Sequence, residues 1–593
     1  MKFFLLLSVF LIANVSVYAY TSIHAPAVVL NESTGSLTVI SLNLSRGDGA
    51  VTIAGPSSVG FSTLASAKEA VSFACSFTGA NESAYNFSFT IHDKNVSVSG
   101  PSAGAAFTLL TISALENKPL VSNFTISGTI ESNGSIGLIG GVYDKAEAAA
   151  KGHMRFFLLP NAGEGGSMEE LLYYISQDVF NVPIQQVSNI SQALKFAFGN
   201  AQAVPFQLNL TQHYAVANLP PFTCNSCNTS TSLFAKLANF TLNFTSQEIS
   251  KIPSTFSSAK QQMLANQQRY YEIEKKGYLY TAADFAFLQF LQAFVLANKA
   301  NYSYNGTYAV LSNISNYCSS LLPPIPTNKN YEYVIGGEMR QELANVTLTQ
   351  AMQLLNSSEA TSDTYIESLY YGAEALAWCK ASQELYNLSS TTGGNFVTFS
   401  PVLQGQAAKE IQKAESFGDN LYLESAIKSY DSGSYAPALY LAVYADVIGN
   451  PSLGANMSKS EMINATLSNI NSSLYGVWPL QFAAEGRFYL YEYEHGLANL
   501  STAYRTSVLA QELGKANRIL EAAFIVSNAT AAVPQLVESE ISSINNEIQQ
   551  VLALLIAIFV LLLAILIMLI VQLANSKKER TAGKMRKASR RSR

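Results

Sequence analysis

A run of 21 residues near the carboxyl end of the chain, 551–571, contains no charged residue and no proline. At a rise of about 1.5 Å per residue, a helix of this length crosses the ~30 Å hydrocarbon core of a bilayer. A buried core helix is the weaker alternative, because such helices are rarely apolar on every face. We therefore predict a transmembrane helix over 551–573, followed by a short tail, 574–593.

Charge and the amino terminus predict the orientation of this span. From Lys577 onward the tail carries nine Lys or Arg residues and one Glu, whereas the rest of the chain is acidic. Such basic flanks remain on the cytoplasmic side of a membrane. Residues 1–19 start with Met-Lys, continue as an apolar run and end in Val-Tyr-Ala, which is typical of a secretory signal peptide. The expected localisation is the cell membrane, single-pass, with the body extracellular and the tail cytoplasmic.

The composition agrees with an exterior body. Hydrophobic residues make up 48% of the chain and charged residues 13%, which excludes a disordered polyelectrolyte. The net charge of −5 excludes a nucleic-acid binder driven by bulk charge. Beyond the signal, 23 Asn-X-Ser/Thr triplets run from Asn31 to Asn528 and none lies in the tail. This density is typical of a glycoprotein on an archaeal or eukaryotic surface.

The cysteines predict disulfides rather than a metal site. The chain has five, namely Cys75, Cys224, Cys227, Cys318 and Cys379. Outside the cell the last four can form two disulfides, in three alternative pairings. Cys224 and Cys227 have zinc-like or redox-like spacing, but no second pair follows, so a disulfide or an inert role is favoured and no metal or cofactor is predicted. Cys75 lies in an apolar run and is expected to be a buried thiol.

The body changes character near residue 200. From 22 to 199, β-rich runs alternate with Ala-rich helical runs, which predicts an α+β or α/β domain; α+β is the class that we adopt. We expect strands at 37–42, 50–54, 86–96, 124–130 and 155–159, helices at 64–77, 103–116 and 142–151, and a turn at 46–49.

From 201 to 545 the strand patterns end, and apolar residues recur at three- and four-residue spacing. This pattern predicts an extracellular all-α domain of irregular helical hairpins. We expect helices at 278–296, 365–386 and 421–448, the last containing a hairpin turn within 429–439, and a proline-rich break at 323–326.

The pentapeptide 100–104, Gly-Pro-Ser-Ala-Gly, precedes one of the predicted helices. Proline and glycine favour a tight turn, which places Ser102 at the start of the helix. Unpaired N–H groups at a helix start can stabilise an oxyanion formed beside the hydroxyl. From this segment alone, a simple helix cap remains the alternative.

Lys145 lies at the start of an Ala-rich helix that follows Gly140 and Gly141. If the lysine is buried, its charged form loses hydration and its pKa falls. The neutral amine can then take the proton of a neighbouring serine, which is the Ser-Lys variant of nucleophilic catalysis. The alternative is an ordinary solvated helix lysine.

Together these segments resemble the proteolytic domain of the Lon protease family over about 25–199. The family's Gly-Pro-Ser-Ala-Gly turn is present at 100–104, and its Gly-Gly-x-x-x-Lys segment at 140–145. The run 127–130 resembles the family's Thr-Gly-Glu strand, and 157–161 resembles its closing strand. The fold expected for 22–199 is therefore that of a Lon-type proteolytic domain.

The resemblance implies a catalytic dyad. Ser102 is the expected nucleophile and Lys145 the expected general base, with Ser127 supporting them through a hydrogen bond. We further expect the backbone N–H groups of Ser102 and Ala103 to form the oxyanion hole.

Two positions depart from the family pattern, and one family component is missing from the sequence. Ser99 stands where the family often has an acidic residue, and Thr129 stands where it has Glu. The chain contains no Gly-x-x-x-x-Gly-Lys-Ser/Thr phosphate loop of an ATP-driven motor. A homo-oligomeric ring is an expectation taken from the family.

The leading hypothesis is a membrane-anchored, outward-facing serine endopeptidase with a Ser-Lys dyad, independent of ATP by itself. Its expected partners are peptides or unfolded proteins, with no nucleic acid and no cofactor. The alternative is a non-catalytic surface binding or scaffold protein built on a decayed protease domain.

Overall fold

The computed structural model describes residues 17–29, 34–55, 59–92, 100–163, 167–210, 214–223, 231–358, 360–472 and 475–526. The predictions for most of the signal segment, for Cys224 and Cys227, for the span at 551–573 and for the tail at 574–593 lie outside these described residues.

A mixed sheet forms the centre of the amino-terminal domain. The strands of this domain are β1 Val17–Val29, β2 Thr34–Arg46, β3 Val51–Ala54, β4 Tyr85–Ile91, β5 Phe124–Ile126, β6 Thr129–Ile130, β7 Ile136–Gly137, β8 Phe156–Leu159 and β9 Ile184–Gln186. Seven of them form one sheet in the order β3-β4-β2-β1-β5-β8-β9, while β6 and β7 pair separately. The β1–β2 and β2–β4 pairs are antiparallel, and the other pairs of the large sheet are parallel.

Strand β1 is the main element that the sequence pattern did not predict. It pairs with β2 from Val17 opposite Ser45 to Val29 opposite Thr34. Its first residues overlap the predicted signal segment 1–19, so cleavage after that segment would leave 20–29 in the sheet. The strands predicted at 37–42 and 50–54 are confirmed as parts of β2 and β3, but they are not neighbours, because β4 lies between them.

Helices cover both faces of the sheet. They are α1 Phe61–Thr78, α2 Gly104–Glu116, α3 Val142–Lys151, α4 Met168–Phe180 and α5 Ile190–Ala197. Along β8, Phe156 and Leu158 pack in a core with α1, α2 and α5, whereas Phe157 and Leu159 pack on the opposite face with α3 and α4. This alternation has the period of two expected of a strand that is buried on both faces.

The domain is therefore three-layered α/β, and the predicted α+β class is corrected. The three predicted helices are confirmed as α1, α2 and α3, while α4, α5 and β9 were not predicted.

The strand predicted at 124–130 is wrong as one element. It divides into β5 and β6 at Ser127 and Gly128. The Ser127 N–H still bonds the Leu158 carbonyl of β8 at 3.2 Å, but the Gly128 N–H turns to another segment, the carbonyl of Ser102, at 2.9 Å. The chain leaves the sheet here because it makes hydrogen bonds to the serine turn.

The second part of the body consists mainly of helices. They are α6 Thr231–Lys251, α7 Ser257–Lys275, α8 Leu279–Ala297, α9 Tyr304–Ser319, α10 Tyr331–Leu355, α11 Ser362–Ser390, α12 Val402–Glu415, α13 Leu421–Asp431, α14 Tyr435–Gly449, α15 Lys459–Ser472, α16 Val477–Glu494 and α17 Leu500–Ala522. The predicted hairpin is confirmed as α13 and α14, and the predicted break at 323–326 separates α9 from α10. The all-α prediction is wrong at one place, where β10 Val397–Phe399 and β11 Phe524–Val526 form a two-stranded sheet.

Helix α8 is, within the described residues, the one helix long and apolar enough to cross a membrane. Its most apolar window is 72% buried by the neighbouring helices, as in the core of a soluble domain. A disulfide joins Cys318 of α9 to Cys379 of α11, which decides one pairing among those left open. Cys75 is a buried free thiol, as predicted.

The amino-terminal domain and the helical part share a hydrophobic core. Leu171, Leu172, Tyr174 and Ile175 of α4 belong to the same buried cluster as side chains of α6 to α11. The Ala259 N–H of α7 also donates to the Tyr174 hydroxyl at 3.3 Å. The two parts are therefore packed as one body rather than connected by a loose linker.

Candidate active site

The serine turn, residues 100–104, precedes α2 directly. Gly100 has φ of 107°, a left-handed conformation that strains any residue with a side chain. The Gly104 N–H bonds the Pro101 carbonyl at 3.0 Å, which closes the turn. Ser102 is partly exposed on it. The conformation at position 100 requires a glycine, which explains why the motif begins with one.

Helix α1 holds the serine turn through three hydroxyl groups. The Ser62 hydroxyl accepts from the Gly100 N–H at 3.1 Å, and the Thr63 hydroxyl donates to the Gly100 carbonyl at 3.1 Å. The Ser66 hydroxyl donates to the Pro101 carbonyl at 3.0 Å. The sequence did not predict this support, because the helix was expected to begin at residue 64 and Ser62 and Thr63 lay outside that range.

The end of β5 holds the turn from the other side. The Ser127 hydroxyl donates to the Ser102 carbonyl at 3.2 Å, and the Gly128 N–H donates to the same carbonyl at 2.9 Å. The Gly128 carbonyl in turn accepts from the Ala105 N–H at 3.0 Å. Ser127 therefore acts on the main chain of the serine turn, whereas the sequence predicted that it supports the dyad side chains.

Lys145 lies in the first turn of α3. Its N–H bonds the carbonyl of Gly141, which is the residue before the helix and has φ of 70°. A side chain at Gly141 would overlap that of Val28 at the end of β1, so the helix start lies directly against the sheet. The Lys145 side chain is only 4% exposed. The buried environment expected for a lysine base is thus present.

Burial lowers the pKa of Lys145 from its ordinary 10.5 to about 8. The carboxylates of Asp363 and Asp144 oppose this shift, because each favours the charged ammonium. Burial also raises the pKa of Asp363, to about 6, and raises that of Asp144. Near pH 8 a large share of Lys145 is consequently the neutral amine that a general base requires.

The topology brings the serine and lysine segments to one edge of the sheet. Strands β1 and β5 run parallel, with His24 opposite Thr125, so their carboxyl ends point to the same edge. The serine turn bonds the residue after β5, and the start of α3 packs against Val28 near the end of β1. Two sequence segments that are far apart in the chain are thereby neighbours at this edge.

The dyad contact itself stays a prediction. Among the described residues, neither the Ser102 hydroxyl nor the Lys145 amine has a hydrogen-bond partner. The backbone amides of Ser102 and Ala103 likewise have no hydrogen bond to a described residue. Catalytic hydrogen bonds are often long without substrate and tighten when it binds. The same ranges contain no group of three His, Cys, Asp or Glu arranged to hold a metal.

Comparison with known proteins shows what this domain is similar to. Residues 25–199 match the sequence model of the Lon protease (S16) C-terminal proteolytic domain. We call residues 25–199, which match this model, the Lon-type domain. The resemblance inferred from the two motifs is confirmed over the same range as predicted.

Several Lon proteases are similar to part of this chain. That of Ureaplasma parvum is 32% identical over 143 residues, which is 22% of this chain and 18% of the relative. That of Neorickettsia sennetsu is 30% identical over 183 residues, 30% of this chain and 21% of the relative. The archaeal Lon protease of Methanothermobacter thermautotrophicus is 29% identical over 114 residues, 19% of this chain and 17% of the relative. The chain thus spans about a fifth of the length of these curated relatives.

The lowered pKa of Lys145 predicts how activity depends on pH. Cleavage should rise as the ammonium loses its proton, with a midpoint near pH 8 rather than near 10.5. The measurement is kcat/KM for a fluorogenic peptide between pH 6 and 10. A rate that is flat across this range, or one that begins to rise only near pH 10, would contradict Lys145 as a buried base.

Proposed function

We propose that the chain is a membrane-anchored, outward-facing serine endopeptidase that uses Ser102 and Lys145 as its dyad. The observation that carries the proposal is the buried Lys145 amine, at the same sheet edge as the serine turn of a Lon-type domain. Burying a lysine amine is unfavourable for folding, and functional sites are where such groups are commonly found.

In the proposed mechanism the Ser102 hydroxyl attacks the scissile carbonyl while Lys145 accepts its proton. The oxyanion of the tetrahedral intermediate is stabilised by the N–H groups of Ser102 and Ala103. Lys145 then returns the proton to the leaving amine, which frees the first product. A water molecule hydrolyses the acyl-enzyme by the same steps. Ser127 holds the turn by binding the Ser102 carbonyl.

The extracellular location is supported by the position of the glycosylation triplets. None of the triplet asparagines in the described ranges is buried. By contrast, Asn266, Asn330 and Asn517, which lie outside such triplets, are buried. Together with the signal, the apolar run and the basic tail, this distribution favours a glycosylated body outside the cell and a single span.

We propose peptides or unfolded proteins as substrates, and activity without ATP, because the sequence has no phosphate loop. A homo-oligomeric ring of Lon-type domains is part of the same proposal. Without an unfolding motor, the enzyme is expected to spare tightly folded proteins.

A serine-reactive probe tests the proposed activity on the full-length protein in detergent. A fluorophosphonate should form a covalent adduct at Ser102, identified by mass spectrometry of the tryptic peptide, and should abolish peptide cleavage. ATP with Mg²⁺ should change neither labelling nor cleavage. Labelling absent at Ser102, together with no cleavage of unfolded proteins, would favour the scaffold alternative.

Protease added to intact cells tests the topology. It should digest the body and leave a membrane fragment that retains an epitope tag fused after Arg593. Permeabilised cells are the control, since there the tag should be lost as well. Loss of the tag from intact cells, with the body protected, would show that the proposed orientation is reversed.

A further inference from the structure

We infer that Asp363, a residue of the helical part, is a positioning residue for Lys145. It acts through an exchange of helix caps, in which the start of α3 and the start of α11 are each bound by a carboxylate from the other helix. The inference rests on the proposed role of Lys145 as the base. Asp363 lies outside the Lon-type domain, so neither the motifs nor the family match points to it.

Asp363 caps the helix that carries the lysine. Its Oδ2 accepts from the Val142 N–H at 2.6 Å, and its Oδ1 accepts from the Tyr143 N–H at 2.8 Å. These are the first two N–H groups of α3, which have no partner within the helix. Gly141 precedes them and has no side chain with which to cap. A carboxylate more than 200 positions away in the sequence supplies the missing cap.

The exchange is reciprocal. Asp144, the neighbour of Lys145, accepts from the Ser362 N–H at 3.2 Å and from the Ser362 hydroxyl at 2.6 Å. Ser362 is the first residue of α11, so each helix start is bound by a carboxylate from the other. The two positive helix ends face each other, and the two carboxylates offset their repulsion.

The exchanged caps lie in a buried setting. Asp144 is 1% exposed and Asp363 is 8% exposed. Beside them, the Tyr143 ring packs edge-on against Phe180 of α4 and Tyr302 of the helical part, with ring centroids 4.7 and 5.9 Å apart. The start of α3, and with it Lys145, is therefore held between the sheet and the helical part.

The carboxylates near Lys145 determine how the loss of the Asp363 charge changes the pKa of the lysine. Asp363 and Asp144 both act on the lysine, and Glu147 of α3 and Glu169 of α4 act on neighbouring groups. Removal of the Asp363 charge takes away one group that favours the ammonium. The lysine should then lose its proton at a lower pH, while the loosened helix start moves it from its catalytic position.

The test is Asp363→Asn in the full-length protein, with Asn420→Ala as the matched control. Asn420 caps α13 in the same helical part through the Leu423 N–H at 3.0 Å. For Asp363→Asn we expect kcat to fall about tenfold or more with KM unchanged, because a misplaced group lowers the rate of the chemical step. The midpoint of the pH profile should also fall by about half a unit or more. Asn420→Ala should change neither quantity.

A second readout does not depend on catalysis. The pH dependence of Lys145 acylation by acetic anhydride, followed by mass spectrometry, reports when the amine becomes neutral. In Asp363→Asn the midpoint should move down relative to the wild type, even if no peptidase activity is found in either protein. Asp363→Glu retains the charge but displaces the cap, so it should lower kcat without lowering that midpoint.

Two results would overturn the inference. In one, Asp363→Asn shows wild-type kcat and wild-type acylation of Lys145. In the other, both Asp363 variants fail to fold while Asn420→Ala folds, which would assign Asp363 to general stability. A wild type without peptidase activity but with the shifted acylation in Asp363→Asn would reject the proposed function and leave the positioning of Lys145 by Asp363 intact.

Discussion

Ser102→Ala and Lys145→Arg should each reduce peptide cleavage by about 10⁴-fold or to background, since each removes one member of a unit that works only when complete. The serine variant loses the nucleophilic oxygen. The arginine variant retains the charge but cannot release a proton near neutral pH, so it cannot serve as a base. The measurement is kcat/KM on an unfolded protein and on a fluorogenic peptide.

Lys151→Arg is the matched control for the lysine variant. Lys151 lies at the other end of α3, pairs with Glu147 at 2.9 Å and has a side chain 61% exposed. Its replacement should leave activity unchanged, which separates the general effect of an arginine in this helix from the loss of the base. The unfolding temperature of Ser102→Ala should remain close to the wild type, because its hydroxyl bonds to no described residue. Substantial activity in either dyad variant would reject the mechanism.

A chain that ends after residue 210 should fail to form a stable domain. Four α4 side chains, Leu171, Leu172, Tyr174 and Ile175, would lose the helices that cover them. At about 1.5–3 kcal/mol for each fully buried apolar side chain, complete exposure of the four would cost up to about 12 kcal/mol. That loss is comparable to the whole stability of a typical domain, about 5–15 kcal/mol.

The full-length chain and the shortened chain are compared after expression side by side. The shortened protein should be largely insoluble, or open to limited proteolysis, while the full-length protein resists. A soluble, monomeric and protease-resistant 20–210 fragment would show that the shared core contributes little. The result also shows whether the Lon-type domain depends on the helical part or can fold without it.

Local chemistry made much of the Lon-type domain predictable from the sequence. The serine turn needs glycine at a left-handed position, α3 starts after two glycines, and the helices at 64–77, 103–116 and 142–151 follow from their composition. These features depend on backbone dihedrals and on side chains a few residues apart, which a sequence states directly. The family resemblance rests on the same local motifs.

The pairing of the strands could not be predicted in this way. The sequence predicted β2 and β3 but neither β1 nor the position of β4 between them. The apolar pattern at 124–130 is continuous and so predicted one strand, whereas the break in it depends on hydrogen bonds to Ser102. Such contacts join residues that are distant in the chain, and no local pattern encodes them.

The sequence by itself determined which residues are candidates for chemistry, Ser102 and Lys145, because their motifs are short and contiguous. Only the tertiary structure decided that Lys145 is buried and that Asp363 caps its helix. It also decided that Cys318 pairs with Cys379. Burial, charge proximity and disulfide pairing arise when distant segments pack together, and burial by that packing is what lowers the pKa of the lysine.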